Sequence, residues 1–140
     1  MDSDDQPTWL LAQGEVDGKP IMIRAREPHQ IRIDPARKHV VVASLAYAAR
    51  DTDQLPSDED YEALEAFEAQ AFEAPSGDPE LVFVETEAGV VRYFAYTSDV
   101  ERTVASISQT AASFQTLDWD SAEDPEWQIY FRRIDRLRGT

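Results

Sequence analysis

With 140 residues, no cysteine and a formal net charge of −15, the chain has the size of one domain and holds neither disulfides nor thiolate metal sites. Its 42% hydrophobic and 10% aromatic content is enough for a packed core. The excess of 28 acidic over 13 basic residues works against direct binding to nucleic acid or anionic membrane.

Residues 1–7 are polar and are expected to be frayed, leaving one α+β domain over residues 8–138. The opening Met1-Asp2-Ser3-Asp4-Asp5 is acidic and has no apolar run behind it, the opposite of a secretory signal. No stretch approaches the roughly 20 apolar residues of a membrane span. The expectation is a soluble, cytoplasmic protein.

Thr8 to Val16 reads as a strand, Asp17-Gly18 as a hairpin turn, and Ile21 to Ala25 as the return strand. Pro20 cannot donate to a ladder and suits the start of that strand or an edge. Residues 27–37 hold two prolines and mixed charge and read as a loop with a short extended piece at Ile31 to Ile33. Val40 to Leu45 is a continuous apolar run rich in β-branched residues, which fits a strand buried on both faces. Arg50 to Pro56 is a loop.

Ser57 can cap a helix whose first turn carries Asp58, Glu59 and Asp60, where negative charge complements the helix dipole. Tyr61, Leu64, Phe67, Ala71 and Phe72 share one side of it. Pro75-Ser76-Gly77 and Asp78-Pro79 end it. Leu81 to Glu87 and Val90 to Tyr96 form a hairpin about Ala88-Gly89. Ser98-Asp99-Val100-Glu101 reads as a capping box for a helix with the stripe Val100, Val104, Ile107, Ala111 and Phe114. Thr116 to Trp119 is a short strand. Asp124-Pro125-Glu126 then reads as a helix start, Asp as cap and Pro in the first turn. Trp127, Tyr130, Phe131, Ile134 and Leu137 are the apolar stripe of that last helix.

The order β-β-β-α-β-β-α-β-α predicts an α+β sandwich, a mostly antiparallel sheet with helices on one face. From Val40 to Trp119 it contains the β-α-β-β-α-β order of ferredoxin-like folds. The first hairpin and the last helix are additions to that core.

Four stretches, taken in order, carry a family likeness. They are Gly14 to Pro20 with Ile21-Met22-Ile23-Arg24, Leu55 to Glu59 leading into Leu64-Glu65-Ala66-Phe67-Glu68, the hairpin Leu81 to Thr97, and Asp124 to Tyr130. The chain thereby resembles a bacterial domain-of-unknown-function family, number 695, over about residues 9 to 134. The resemblance implies a relation in fold to RraB-type regulators, ferredoxin-like acidic proteins that bind and inhibit a ribonuclease. The family has no settled activity, so it transfers no functional residue.

From Asp51 to Val91 the chain has no lysine or arginine and thirteen carboxylates. A helix that is merely solvated usually carries compensating lysines one turn away. The acidic run therefore makes a candidate docking face for a basic protein, with Asp58, Glu59, Glu62 and Glu65 as contacts, set against the plainer reading of a solvated face. Glu68 falls inside the apolar stripe. It is either a proton-transfer group or buried specificity contact, or, more plainly, a border glutamate whose head reaches out or one paired with an arginine such as Arg24 or Arg92.

His29 and His39 are too few for a metal site, and no phosphate loop or nucleophile elbow occurs. No cofactor or catalytic residue is expected. Trp9, Trp119, Trp127 and Tyr130 either line a groove or close the sheet ends. Arg132, Arg133, Arg136 and Arg138 could touch nucleic acid, but on so acidic a protein the favoured reading is that they complement the last helix dipole and the acidic body.

The expected role is a non-catalytic module, a monomer or weak dimer, that inhibits or regulates a basic partner such as a nuclease or toxin. One alternative is a small enzyme or ligand-binding domain with its pocket around Glu68 and the sheet-end aromatics. Another is a structural subunit of a larger assembly.

Overall fold

The computed structural model describes residues 9–16, 18–47, 58–72, 78–87, 89–110 and 117–137. Among these are six strands and three α-helices: β1 (Trp9–Val16), β2 (Lys19–Arg26), β3 (His39–Ala46), α1 (Asp58–Phe72), β4 (Glu80–Glu87), β5 (Val90–Thr97), α2 (Val100–Thr110), β6 (Leu117–Glu123) and α3 (Gln128–Leu137). The expected frayed segment 1–7, the Ser57 cap, the Pro75-Ser76-Gly77 stop, the loop from Arg50 to Pro56, and Ala111, Phe114 and Arg138 lie outside the described residues.

The strands form one sheet in the order β1-β2-β4-β5-β3-β6, with every neighbouring pair antiparallel. Two tight turns make its hairpins. Gly18 and Gly89 take φ of +80° and +87°, a conformation that costs glycine nothing. Tyr47 braces the second turn, since its backbone N–H donates to the Gly89 carbonyl at 2.9 Å and its hydroxyl accepts from the Gly89 N–H at 3.1 Å. Pro20 faces Glu15 across β1, one residue before the β2–β4 pairing begins at Ile21, so its missing N–H interrupts no ladder.

Side-chain alternation divides the sheet between two cores. On one face Val41, Ala43, Leu45, Val91, Tyr93 and Ala95 meet Leu64, Phe67, Ala71 and Phe72 of α1 and Ile107 of α2. Phe67 and Phe72 pack on Tyr93 with ring centroids 5.2 and 5.3 Å away. On the other face Val40, Phe83, Phe94 and Tyr96 meet Trp127, Tyr130 and Ile134 of α3. The Trp127 indole lies flat on Tyr96, 4.3 Å between centroids and 6° between planes.

This corrects the expectation of helices on one face only. A strand as apolar on both sides as β3 needs a second covering layer, and α3 supplies it. Three local expectations shift as well. Ile31 is extended but unpaired, following a single turn of 3₁₀-helix at Pro28–Gln30, and its side chain is buried in the second core. The cap of α2 is Asp99, whose carboxylate accepts from the Arg102 N–H at 3.0 Å, while the Ser98 hydroxyl and N–H donate to Asp78. β6 runs on to Glu123 because β3 offers it a full-length ladder, His39 opposite Glu123 through Leu45 opposite Leu117.

The last helix starts later than Pro125. Residues Asp124 to Trp127 make a turn, closed by the Trp127 N–H donating to the Asp124 carbonyl at 3.0 Å, and Trp127 takes a φ of +57°. The burial of Trp127 offsets that backbone cost, with its indole N–H donating to the Arg37 carbonyl at 3.0 Å. Asp124 still caps, reaching past the turn to the Gln128 and Ile129 N–H groups, each at 2.9 Å.

Candidate functional site: a groove between α1 and the first hairpin

Antiparallel pairing sets directly opposed residues on the same face of a sheet. One such row on the α1 face runs Leu11, Arg24, Val84, Tyr93, Ala43 and Trp119. The next includes Gln13, Met22, Thr86, Val91 and Leu45. α1 covers the β5 end of these rows through Phe67 and Leu64. Towards β1 the rows emerge into an open cavity of about 530 Å³. Its floor includes Val84, Thr86 and Tyr93, one wall is Leu11 and Met22, and the other is the flank of α1 carrying Tyr61, Glu65 and Glu68. Leu11 is 74% exposed, the most exposed large apolar side chain among the described residues.

The floor of the groove carries an ion pair. Arg24 on β2 donates from both terminal nitrogens to the two carboxylate oxygens of Glu68 on α1, Nη1 at 3.0 Å and Nη2 in a closer contact. Burial opposes the Arg24 charge, but the bond to Glu68 and its field outweigh that and raise the guanidinium above its ordinary value. The Arg24 guanidinium also lies over the Trp9 ring, 4.8 Å from its centroid. Tyr93 beneath is pushed well above the usual tyrosine range, chiefly by burial and further by the Glu68 charge. Glu68 is thus paired with Arg24, one of the two arginines the sequence offered it.

Nine of the thirteen carboxylates of the acidic run separate into two sets once the chain folds. Glu68, Asp78, Glu80, Glu85 and Glu87 each meet arginines brought from elsewhere in the chain. Arg26 and Arg37 reach Glu80, Arg37 and Arg102 reach Asp78, Arg92 bridges Glu85 and Glu87, and Arg133 of α3 closes on Glu85 at 3.1 Å. Asp58, Glu59, Glu62 and Glu65 are exposed, and none of them makes an ion pair among the described residues. Asp58, Glu62 and Glu65 follow one another at helical spacings of four and three, and Glu65 also lines the groove. The remaining members, Asp51, Asp53 and Glu73, lie outside the described residues, and Asp60 keeps interactions of its own.

Trp127 and Tyr130 are core residues, buried with the Tyr130 hydroxyl donating to the Arg26 carbonyl at 2.6 Å. Trp119 is 48% exposed on β6, away from the groove. Trp9 borders the groove through Arg24. Leu11, Met22 and Thr86 were not singled out by the sequence. Their one signal was the run Trp9-Leu10-Leu11, too apolar for a strand with one wet face. No group of His, Asp or Glu that could hold a metal ion occurs among the described residues. No described helix is long and apolar enough to cross a membrane.

Fold and groove together define an α+β domain with a two-sided core and an amphipathic cleft, acidic on its helical rim. The chain belongs to the DUF695 family, a family of unknown function, whose model matches residues 7–133. No curated protein matches it.

Proposed function

We propose that this protein is a non-catalytic binding module whose α1 rim docks on a basic surface of a partner protein and thereby inhibits or regulates it. The observation that carries this reading is the division of the acidic run. Folding neutralises Glu68, Asp78, Glu80, Glu85 and Glu87 internally and leaves Asp58, Glu59, Glu62 and Glu65 without ion pairs among the described residues. Those four face water with a field that a net charge of −15 reinforces. A nuclease or toxin with a positive cleft is the kind of partner such a rim suits. The succession β4-β5-β3-β6, with α1 and α2 as crossovers on one face, supports a ferredoxin-like core to which the first hairpin and α3 are added. That core and the acidity are what the proposal shares with RraB-type regulators.

Capture from native lysate at low salt, by the wild type and by a Glu59→Lys/Glu62→Lys/Glu65→Lys variant, tests the reading. A basic partner held by the wild type and lost by the variant is expected. Its association should slow steeply as salt rises from about 50 to 500 mM. A partner retained by the reversed rim, or an on-rate indifferent to salt, overturns it.

The groove favours a second reading, a domain that binds a small amphiphilic ligand between Leu11, Met22 and Tyr61, since about 300–1,000 Å³ is the usual size of such sites. Saturable binding of one small molecule with no protein partner would favour it over docking.

A further inference from the structure

Neighbouring strands lie about 4.8 Å apart and packed helices about 8–10 Å apart, so one helix covers roughly two strands. α2 packs on β3 and β6, and α1 rests on Tyr93 of β5 and reaches only as far as Met22 and Arg24 of β2. Among the described residues no helix lies over β1 and the outer side of β2 on this face. The uncovered surface offers Leu11 and Met22 beside the Tyr61 ring, whose hydroxyl points at the Met22 sulfur at 3.8 Å. The position is that of a third helix alongside α1, with an apolar wall of Leu11 and Met22.

The chemistry of its two sides fixes the occupant. On the α1 side Glu65 lines the groove and Glu62 and Asp58 follow it along the helix, all three exposed and without ion pairs among the described residues. On the hairpin side, alternation from Leu11 puts Glu15 on the same face. The arginines near the floor are already engaged, Arg24 by Glu68 and Arg26 by Glu80. An incoming segment therefore meets Leu11, Met22 and Tyr61 around the closed Arg24–Glu68 pair, and on its flanks carboxylates that make no ion pair among the described residues.

We infer that the groove between α1 and the β1–β2 hairpin receives an amphipathic basic helix of the partner. Its aliphatic stripe seats on Leu11, Met22 and Tyr61, and its flanking lysines or arginines face Glu62, Glu65 and Asp58. This rests on the proposed docking reading and deepens it: the rim steers and orients, while the groove holds.

The test uses the full chain and three synthetic peptides of equal length. One has a leucine stripe flanked by lysine and arginine. The second is a scramble of the same composition without the stripe. The third is the striped peptide with glutamate in place of the basic residues. Binding is followed by fluorescence anisotropy and by methyl NMR of Leu11 and Met22. The striped basic peptide is expected to bind and shift both methyl signals. The scramble and the acidic peptide should be at least about tenfold weaker. Leu11→Asp, an exposed position where folding is not at risk, should weaken the striped peptide about tenfold, and Glu62→Lys/Glu65→Lys by a similar factor.

Equal binding of striped and scrambled peptides, or binding untouched by Leu11→Asp but lost on Glu62→Lys/Glu65→Lys, overturns the seated helix and leaves docking by the rim standing. Binding indifferent to the charge reversal overturns both.

Discussion

Asp124 ties the start of α3 to the sheet through Tyr96, and removing it is the sharpest test of how α3 is held. It is 8% exposed, and its two oxygens accept from the Gln128 and Ile129 N–H groups, each at 2.9 Å, and from the Tyr96 hydroxyl at 2.6 Å. Asp124→Ala loses a helix cap, a cost of about 1–2 kcal/mol. It also leaves the buried Tyr96 hydroxyl without its acceptor, about 1–2 kcal/mol more. The expected total is about 3 kcal/mol, a large part of the roughly 5–15 kcal/mol that holds a domain together.

Asp124→Asn keeps the shape and one acceptor oxygen and should cost about 1 kcal/mol. Urea unfolding followed by circular dichroism reads both values. With a slope of about 2 kcal/mol per molar, Asp124→Ala lowers the midpoint by about 1.5 M and the asparagine variant by about 0.5 M. An alanine variant whose midpoint falls by less than about 0.3 M would refute the argument, because α3 would then be held by its apolar stripe alone.

Alkaline pH should destabilise the protein through two buried phenols. Burial first, with the Glu68 charge, raises Tyr93, and burial with the Asp124 hydrogen bond raises Tyr96. Below about pH 10 both are protonated folded and unfolded; above it only the unfolded chain releases protons, and stability falls by about 1.4 kcal/mol per pH unit for each. Tyr93→Phe and Tyr96→Phe should each flatten that decline in urea titrations above pH 10, and an unchanged slope in both would count against the burial argument. Trp127→Ala should cost about 3–5 kcal/mol and abolish the near-ultraviolet dichroism of the stacked pair, whereas Trp127→Phe, losing mainly the bond to the Arg37 carbonyl, should cost about 1–2 kcal/mol. Arg24→Met should destabilise by about 1–2 kcal/mol, between the values for exposed and fully buried pairs, since Glu68 is only 16% exposed. A double-mutant cycle with Glu68→Gln should return a coupling of about 1 kcal/mol, and a coupling near zero would mean the contact is incidental.

Much of this architecture was legible in the chain because it is written in short-range patterns. Val40 to Leu45 announced a strand wet on neither side. Val100, Val104 and Ile107 announced α2, and Gly18 and Gly89 announced the hairpins. The residues of the groove were not legible, because they become neighbours only when β2 docks on β4 and carries Leu11 and Met22 beside Tyr61. The same holds for the acidic run. Its lack of basic neighbours was a fact of sequence, yet Arg26, Arg37, Arg102 and Arg133 cross to it in space, while Asp58, Glu59, Glu62 and Glu65 make no ion pair among the described residues. Glu68 stood out on the helical wheel, and Arg24 was among its anticipated partners. Only the strand order selects Arg24 over Arg92, which serves Glu85 and Glu87 on the opposite face. The start of α3 was misplaced because nothing in the sequence shows that Trp127 must turn inward before the helix begins.

The strand order also has a consequence for synthesis. The first hairpin is local and can close as soon as Arg26 has left the ribosome, but the strand it docks on begins only at Glu80. At about 5–20 residues per second the hairpin waits several seconds with both its edges open. In that interval its apolar side chains have neither β4 nor α1 to shelter them, so any chaperone need of this protein should concentrate on its first quarter and end when β4 emerges.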